Sequence, residues 1–246
     1  CIRSAHYQEA GSADIIIICA GARQKKGQDR DELLNTNKKI VTSIIKSMQP
    51  INKHAIIIMV TNPVDIMAYV AQHISGLPKE QVFGSGTWLD TQRLRNAISC
   101  KFGISCKSIE VFMLGEHGDT QFAAWSCATI GGVPALHYPG LTDEQKEKLT
   151  SYTKNLVYTI IECKEATYYG IGSCIADICE CIVFNQKRVL PLSAYSNELK
   201  VSISMPVVLG AHGIEKFMPI PLDDIERALL ADSVVKLQSL GHCLIT

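Results

Sequence analysis

The sequence predicts an α/β fold, a doubly wound parallel sheet followed by a second part of mixed α+β character, and three observations carry that expectation. Two β-branched runs, Asp14–Ala20 and Ala55–Val60, are apolar at nearly every position and close on turn residues, Gly21 for the first and Asn62-Pro63 for the second. Such unalternating runs read as strands buried on both faces, as in a parallel sheet. Between them Leu33, Leu34, Asn37, Ile40, Val41, Ile44 and Ile45 recur at helical spacing until Pro50 stops the pattern, which completes a β-α-β unit. After Gly86 the texture changes, so residues 1–86 are expected to form one domain and 87–246 another.

The remaining elements follow in order. A helix runs from Val64 to about Ser75 with Ile66, Met67, Tyr69, Val70 and Ile74 inward, then a short strand from Gln81 to Gly84. Beyond Gly86 a helix covers Leu89 to Lys101, and Val111–Leu114 and Phe122–Ile130 read as strands of a more mixed sheet. Thr142 and Gln145 have the spacing of a capping box, and Leu149, Tyr152, Leu156 and Ile160 continue a long helix. Ile171, Ile175, Ile178 and Ile182 mark another. Val189–Tyr195 and Val201–Leu209 read as paired strands, and Leu222–Gly241 as a closing helix. There is no internal repeat and no low-complexity tract.

Composition narrows the function. The 246 residues are 47% hydrophobic, enough for a real core, and 24 basic side chains balance 24 acidic ones without forming blocks. No basic face advertises nucleic acid or an anionic membrane, and a small molecule or protein is the expected partner. The longest apolar runs, Ile15–Ala22 and Ala55–Val60, are too short to span a bilayer. The ten cysteines are spread through apolar stretches, as at Cys19 and Cys179, and are expected to be reduced, buried thiols of a cytoplasmic protein. Cys179 and Cys181 lack the spacing of a metal knuckle, and no metal site is expected. The chain starts at Cys1 instead of Met, so an upstream segment, with any targeting peptide, is expected to be missing.

Four strings carry chemistry. Leu114-Gly-Glu-His-Gly-Asp119 puts a histidine on a tight turn directly after a strand, a spacing poor for a metal and better suited to acid–base work. In Gly84-Ser-Gly-Thr-Trp-Leu-Asp-Thr-Gln-Arg93, Asp90 and Arg93 share one helix face; taken alone, that is most often a surface ion pair. Val60-Thr-Asn-Pro-Val-Asp65 places Asn62 at the carboxyl end of a central strand, the rim where ligands bind in open α/β sheets. Ala20-Gly-Ala-Arg-Gln-Lys-Lys-Gly-Gln-Asp-Arg30 is a charged loop after another such strand.

Together and in this order, over nearly the whole chain, these strings resemble the lactate and malate dehydrogenases. The resemblance implies an NAD-dependent 2-hydroxyacid oxidoreductase, with residues 1–86 the remainder of a Rossmann NAD-binding domain and 87–246 the substrate and catalytic domain. It implies that His117 is the proton donor and acceptor, that Asp90 fixes its tautomer, that Arg93 grips the substrate carboxylate with its planar fork, and that Arg30 polarises the ketone. Asn62 is expected to touch both substrate and nicotinamide, and Asp65 and Thr167 to join the substrate-binding set. Tyr7, Gly21, Ala22, Ser43, Val60, Thr61 and Ser85 would line the cofactor cleft, with Ile171 packed on the nicotinamide. The discriminating position is Gln24. Malate enzymes of the family carry an arginine there for a second carboxylate, so glutamine, like the Ala166–Gly172 segment, implies pyruvate and L-lactate as substrates. A malate dehydrogenase, or a catalytically idle fragment, is the alternative. A cytoplasmic homo-oligomer, dimer or tetramer, acting in glycolysis and fermentation is implied as well.

Three departures from the family's pattern accompany the match. The Gly-rich GxGxxG loop and the acidic residue for the adenosine ribose are expected upstream of Cys1, and neither Gly84-Ser-Gly86 nor Gly170-Ile-Gly172 completes the motif. The 246 residues alone are therefore expected to bind NADH weakly. Where bacterial members bind an activating sugar bisphosphate with an arginine and a histidine, Arg95 fits the first and Glu110 replaces the second. Finally, Ser193–Ile203 is shorter than usual and lacks a Gly-rich turn.

Overall fold

The computed structural model of the chain describes residues 1–22, 30–164 and 167–245. In chain order they form α1 (Tyr7–Ala10), β1 (Ile15–Ile18), α2 (Arg30–Ser47), β2 (Ile56–Met59), α3 (Val64–Ser75), β3 (Val82–Gly84) and α4 (Trp88–Phe102). There follow β4 (Ile109–Glu110), β5 (Met113–Leu114), β6 (Phe122–Ala123), β7 (Thr129–Ile130), β8 (Val133–Pro134), α5 (Asp143–Lys164) and α6 (Tyr169–Val183). The chain closes with β9 (Arg188–Ser196), β10 (Val201–Gly210), β11 (Gly213–Phe217) and α7 (Asp224–Ile245).

A six-stranded sheet in the order β1-β2-β3-β9-β10-β11 forms the centre. β1, β2 and β3 are parallel, with Ile16 opposite Ile57 and Ile58 opposite Phe83. β9 then joins β3 antiparallel through Gly84 and Ser193, and β10 and β11 extend the sheet. The parallel sheet read from the sequence is present, and the later hairpin extends it across residues 86 and 87. Gly86 permits the crossing. It has φ +55°, and a Cβ there would lie 2.6 Å from the Ser193 nitrogen and 2.8 Å from Ser204 Oγ, so the chain passes too close to β9 and β10 for any side chain.

β2 behaves as its composition requires. Ile57 and Met59 face a core shared with Val41, Ile45, Met67 and Ala71 of α2 and α3, while Ile56 and Ile58 face a second core with Trp88, Ile178, Cys181 and Ile182. β1 differs from the expectation of burial on both faces: Ile16 and Ile18 are buried, but Ile17 is 41% exposed. β1 is the sheet's edge, and the α6 core reaches it only through the half-buried Ile15.

Three further expectations are corrected. Phe122–Ile130 is not one strand. A single 3-10 turn at Trp125–Cys127 separates β6 from β7, because Ser126 is captured from outside: its N–H donates to Glu226 Oε1 (2.9 Å) and its hydroxyl to the Pro221 carbonyl (2.7 Å). Val111–Leu114 likewise narrows to β5, with Phe112 accepting from the Ala124 N–H outside any strand. The cysteines are also less buried than expected. Every described one is a free thiol, yet Cys19 is exposed and Cys179 half-buried, and only Cys174 and Cys181 lie in the core. Around α5, Thr142 does cap as expected, its Oγ1 accepting from the Gln145 N–H at 3.3 Å. Among the described residues no helix is long and apolar enough to cross a membrane.

Candidate active site

The histidine turn is built by β5 and β6, which pair Met113 with Ala123 and Leu114 with Phe122. The first turn of α4 is stapled to this hairpin: Thr87 Oγ1 donates to the Met113 carbonyl (2.5 Å) and Thr91 Oγ1 accepts from the Met113 N–H (2.9 Å). Both threonines are fully buried, so these bonds are made in a low dielectric where leaving them unmade would be costly. The staple sets Asp90, between the two threonines, beside His117. Two backbone bonds between Gly115 and Ser204 (3.0 and 3.1 Å) then fasten the turn to β10.

The sequence-predicted group comes together. Asp90 Oδ2 accepts from His117 Nδ1 at 2.8 Å and Asp90 Oδ1 from Arg93 Nη1 at 3.1 Å. The Asp90 side chain is 3% exposed, that of Arg93 10% and that of His117 26%. The ion pair is thus no surface ornament. Burial opposes charge on Asp90, but His117 and Arg93 outweigh it and hold the carboxyl below its ordinary range. Burial also opposes charge on His117, and the charge and hydrogen bond of Asp90, aided by Asp65, outweigh it and hold the imidazole above its usual value. With Nδ1 committed to Asp90, Nε2 is the nitrogen left for a substrate.

Asp65 lies in the first turn of α3, 2% exposed, and its Oδ2 accepts from the backbone N–H of His117 at 2.7 Å. Expected among the substrate-binding residues, it has its carboxylate on the histidine turn. Burial pushes its carboxyl up to about 6.

Gly21 and Ala22 are exposed at the carboxyl end of β1, and exposed Asn62 lies beyond the end of β2. A Cβ on Gly21 would come 2.6 Å from Thr61 Cγ2, so glycine lets this backbone lie flat against its neighbour. Thr61 is 4% exposed, with its hydroxyl donated to the Ala20 carbonyl (2.8 Å); Ser85 is 4% exposed and Val60 half-buried. Asn37 ties the two strand ends together: its Oδ1 accepts from the Ala22 N–H (2.7 Å) and its Nδ2 donates to the Asn62 carbonyl (2.8 Å). Sequence reasoning counted Asn37 with the apolar face of α2, although a buried amide in an apolar stripe is itself a signal.

Other expected residues sit apart from these bonds. Tyr7 is 52% exposed on α1, and Ser43 is exposed on α2. Thr167, half-buried, precedes α6, on which half-buried Ile171 packs at the rim of the second core. Gln24 lies outside the described residues. Arg30 opens α2, and its side chain is outside them too.

Comparison with known proteins agrees with this geometry. The pattern of the lactate/malate dehydrogenase NAD-binding domain matches residues 1–84, and that of the lactate/malate dehydrogenase alpha/beta C-terminal domain matches residues 87–242. The chain belongs to the lactate/malate dehydrogenase family. Among its relatives in the family, L-lactate dehydrogenase A of Rhizopus oryzae is 44% identical over 241 residues, 98% of this chain and 75% of that protein. The crystal structure of the minor L-lactate dehydrogenase from Enterococcus mundtii in its ligands-bound form superposes with a TM-score of 0.93 at 35% identity, covering 97% of this chain and 78% of that one. The malate dehydrogenase from Aeropyrum pernix follows with a TM-score of 0.90 at 31% identity, covering 98% and 79%.

Proposed function

We propose that this chain interconverts pyruvate and L-lactate with NAD as the hydride carrier. The observation that carries the reading is the Asp90–His117–Arg93 group, an acid and an anion-binding fork locked together by one buried carboxylate. In this reading residues 1–86 supply the cofactor side and residues 87–246 the substrate side. The exposed backbone of Gly21, Ala22 and Asn62, held level by Asn37, fits a flat ring and its ribose, with Tyr7, Ser43, Val60, Thr61, Ser85 and Ile171 completing the cleft. Bound there, the nicotinamide supplies the hydride.

The side chains do the rest. Arg93 pairs its fork with the pyruvate carboxylate and so fixes the ketone relative to His117, while Asn62 and Thr167 bound the substrate. As the ketone oxygen gains charge, Nε2–H of His117 donates its proton and the ring becomes neutral; Arg30 offsets the charge before the proton arrives. Asp90 keeps Nδ1 protonated throughout, so the proton leaves from Nε2 alone. In the reverse direction neutral His117 takes the proton from the lactate hydroxyl.

The reading includes a homo-oligomer, dimer or tetramer, in the cytoplasm, serving glycolysis and fermentation. Exposed apolar side chains along α5 and α6, Tyr152, Tyr158, Tyr169, Val183 and Phe184 among them, support burial between subunits. Activation by a sugar bisphosphate is not part of it, since Arg95 is already paired with Glu110 at 2.8 Å and that carboxylate would repel a phosphate.

Gln24 decides between pyruvate and oxaloacetate, because an enclosed second carboxylate needs a cation and a methyl group does not. The protein is expected to have the higher kcat/KM for pyruvate. Gln24→Arg is expected to move the ratio of the two kcat/KM values toward oxaloacetate by on the order of 100-fold, the cost of an unpaired buried charge. Steady-state rates with both ketoacids measure it. An unaltered chain that already prefers oxaloacetate belongs to the malate branch, and the proposal fails.

A further inference from the structure

We propose that Asp65 is a second positioning carboxylate for His117, holding the backbone of the catalytic turn and adding a negative charge behind the imidazole. The inference deepens the proposed function and rests on His117 as its proton donor.

His117 is held at two points by two buried carboxylates from two different helices. Asp90, in the first turn of α4, takes the ring at 2.8 Å, and Asp65, in the first turn of α3, takes the backbone N–H at 2.7 Å. Both positions use the positive end of a helix dipole to ease the burial of an acid. Their remaining partners differ. Asp90 also has the Arg93 guanidinium, whereas Asp65 has the His117 amide on Oδ2 and, among the described residues, no hydrogen bond on its buried Oδ1. The carboxyl of Asp90 is therefore held below its ordinary range, whereas burial pushes that of Asp65 up to about 6.

The charged groups that face Asp65 are few. His117 stabilises its anion and Glu116, on the same turn, opposes it. Tyr69, Tyr195 and Lys200 line, together with Asp65, a cavity of about 350 Å³ between α3, the β9–β10 hairpin and α7. His117 in turn faces Asp90, Asp65 and Arg93, and of these Asp65 adds to the attraction that keeps the ring protonated. The sign follows directly. An ionised Asp65 raises the proton affinity of His117; removing that charge lowers it, and the protonated ring needed for pyruvate reduction is then lost at a lower pH.

Asparagine separates the two roles. In Asp65→Asn the amide oxygen can still accept the His117 N–H while the charge is gone; in Asp65→Ala both are gone. Two measurements on the full chain are made for each variant: NMR titration of the His117 ring, and the pH profile of kcat for pyruvate reduction. The expected result for Asp65→Asn is a native fold, a His117 pKa lowered by about half a unit to one unit, and an alkaline limb of the kcat profile displaced by the same amount. Asp65→Ala is expected to lose a further tenfold or more in kcat with little change in KM for pyruvate, because the ring is misplaced while Arg93 is untouched. A His117 titration in Asp65→Asn that coincides with the unaltered protein overturns the charge role. Equal kcat in the two variants overturns the backbone role. Should the unaltered protein not reduce pyruvate, the proposed function fails, and the ring titration still decides whether Asp65 acts on His117.

Discussion

Alanine in place of His117 is expected to lower the turnover of pyruvate by at least about 100-fold, the low end of what a positioned general acid contributes. The structure makes this substitution unusually clean. The bond to Asp65 comes from the His117 backbone and survives the loss of the ring, so the turn stays in place. Asp90 keeps its bond to Arg93, so the fork that takes the substrate carboxylate stays oriented. NADH affinity and KM for pyruvate should therefore change little, while kcat falls, the pattern of an interaction made only in the transition state. Steady-state kinetics with a fluorescence titration of NADH separate the two. Turnover within tenfold of the unaltered protein would remove His117 from the mechanism.

Asparagine in place of Asp90 is expected to cost more near neutral pH, up to about 10,000-fold in kcat by analogy with the carboxylate-to-amide change in another His–Asp pair. Asp90 presents one oxygen to His117 and the other to Arg93, both as acceptor. An amide has one acceptor and one donor, so one neighbour must face an N–H whichever way it turns. Either the Arg93 fork loses its partner or Nδ1 meets a donor and the ring is forced into the wrong tautomer. In both cases the charged imidazole loses its counter-ion in a site where burial already works against it. Because pyruvate reduction needs the protonated ring, the loss should shrink as pH is lowered. A pH profile of kcat that keeps its alkaline limb where it was would contradict the role given to Asp90.

Much of this was legible in the sequence because the signals are periodic or adjacent. The run Ile56–Met59 declares a strand with two buried faces, and the three-residue step from Asp90 to Arg93 declares one helix face. What escaped depends on distant partners. The break between β6 and β7 is imposed by Glu226, 100 residues away, and no local pattern announces it. The exposure of Ile17 follows from which strands flank β1, a property of the sheet and not of the run itself. Asn37 was hidden for a different reason: it sits at a core-facing position of α2, where position outvoted chemistry. Asp65 was placed near the substrate by resemblance, and only coordinates reveal that its carboxylate meets a backbone amide of another element.

The unbroken sheet has a thermal consequence. Gly21 and Asn62 follow β1 and β2, while His117 is two residues beyond the glycine that is bonded to β10, so both sides of the reaction are referenced to one hydrogen-bonded lattice. Because the described residues on both sides are tied to that ladder, warming should not drift hydride donor and proton donor apart while the ladder holds. Inactivation on heating should then coincide with the melting of strand signal in circular dichroism instead of preceding it, and the temperature at which the enzyme fails becomes a property of its backbone ladder rather than of its side chains.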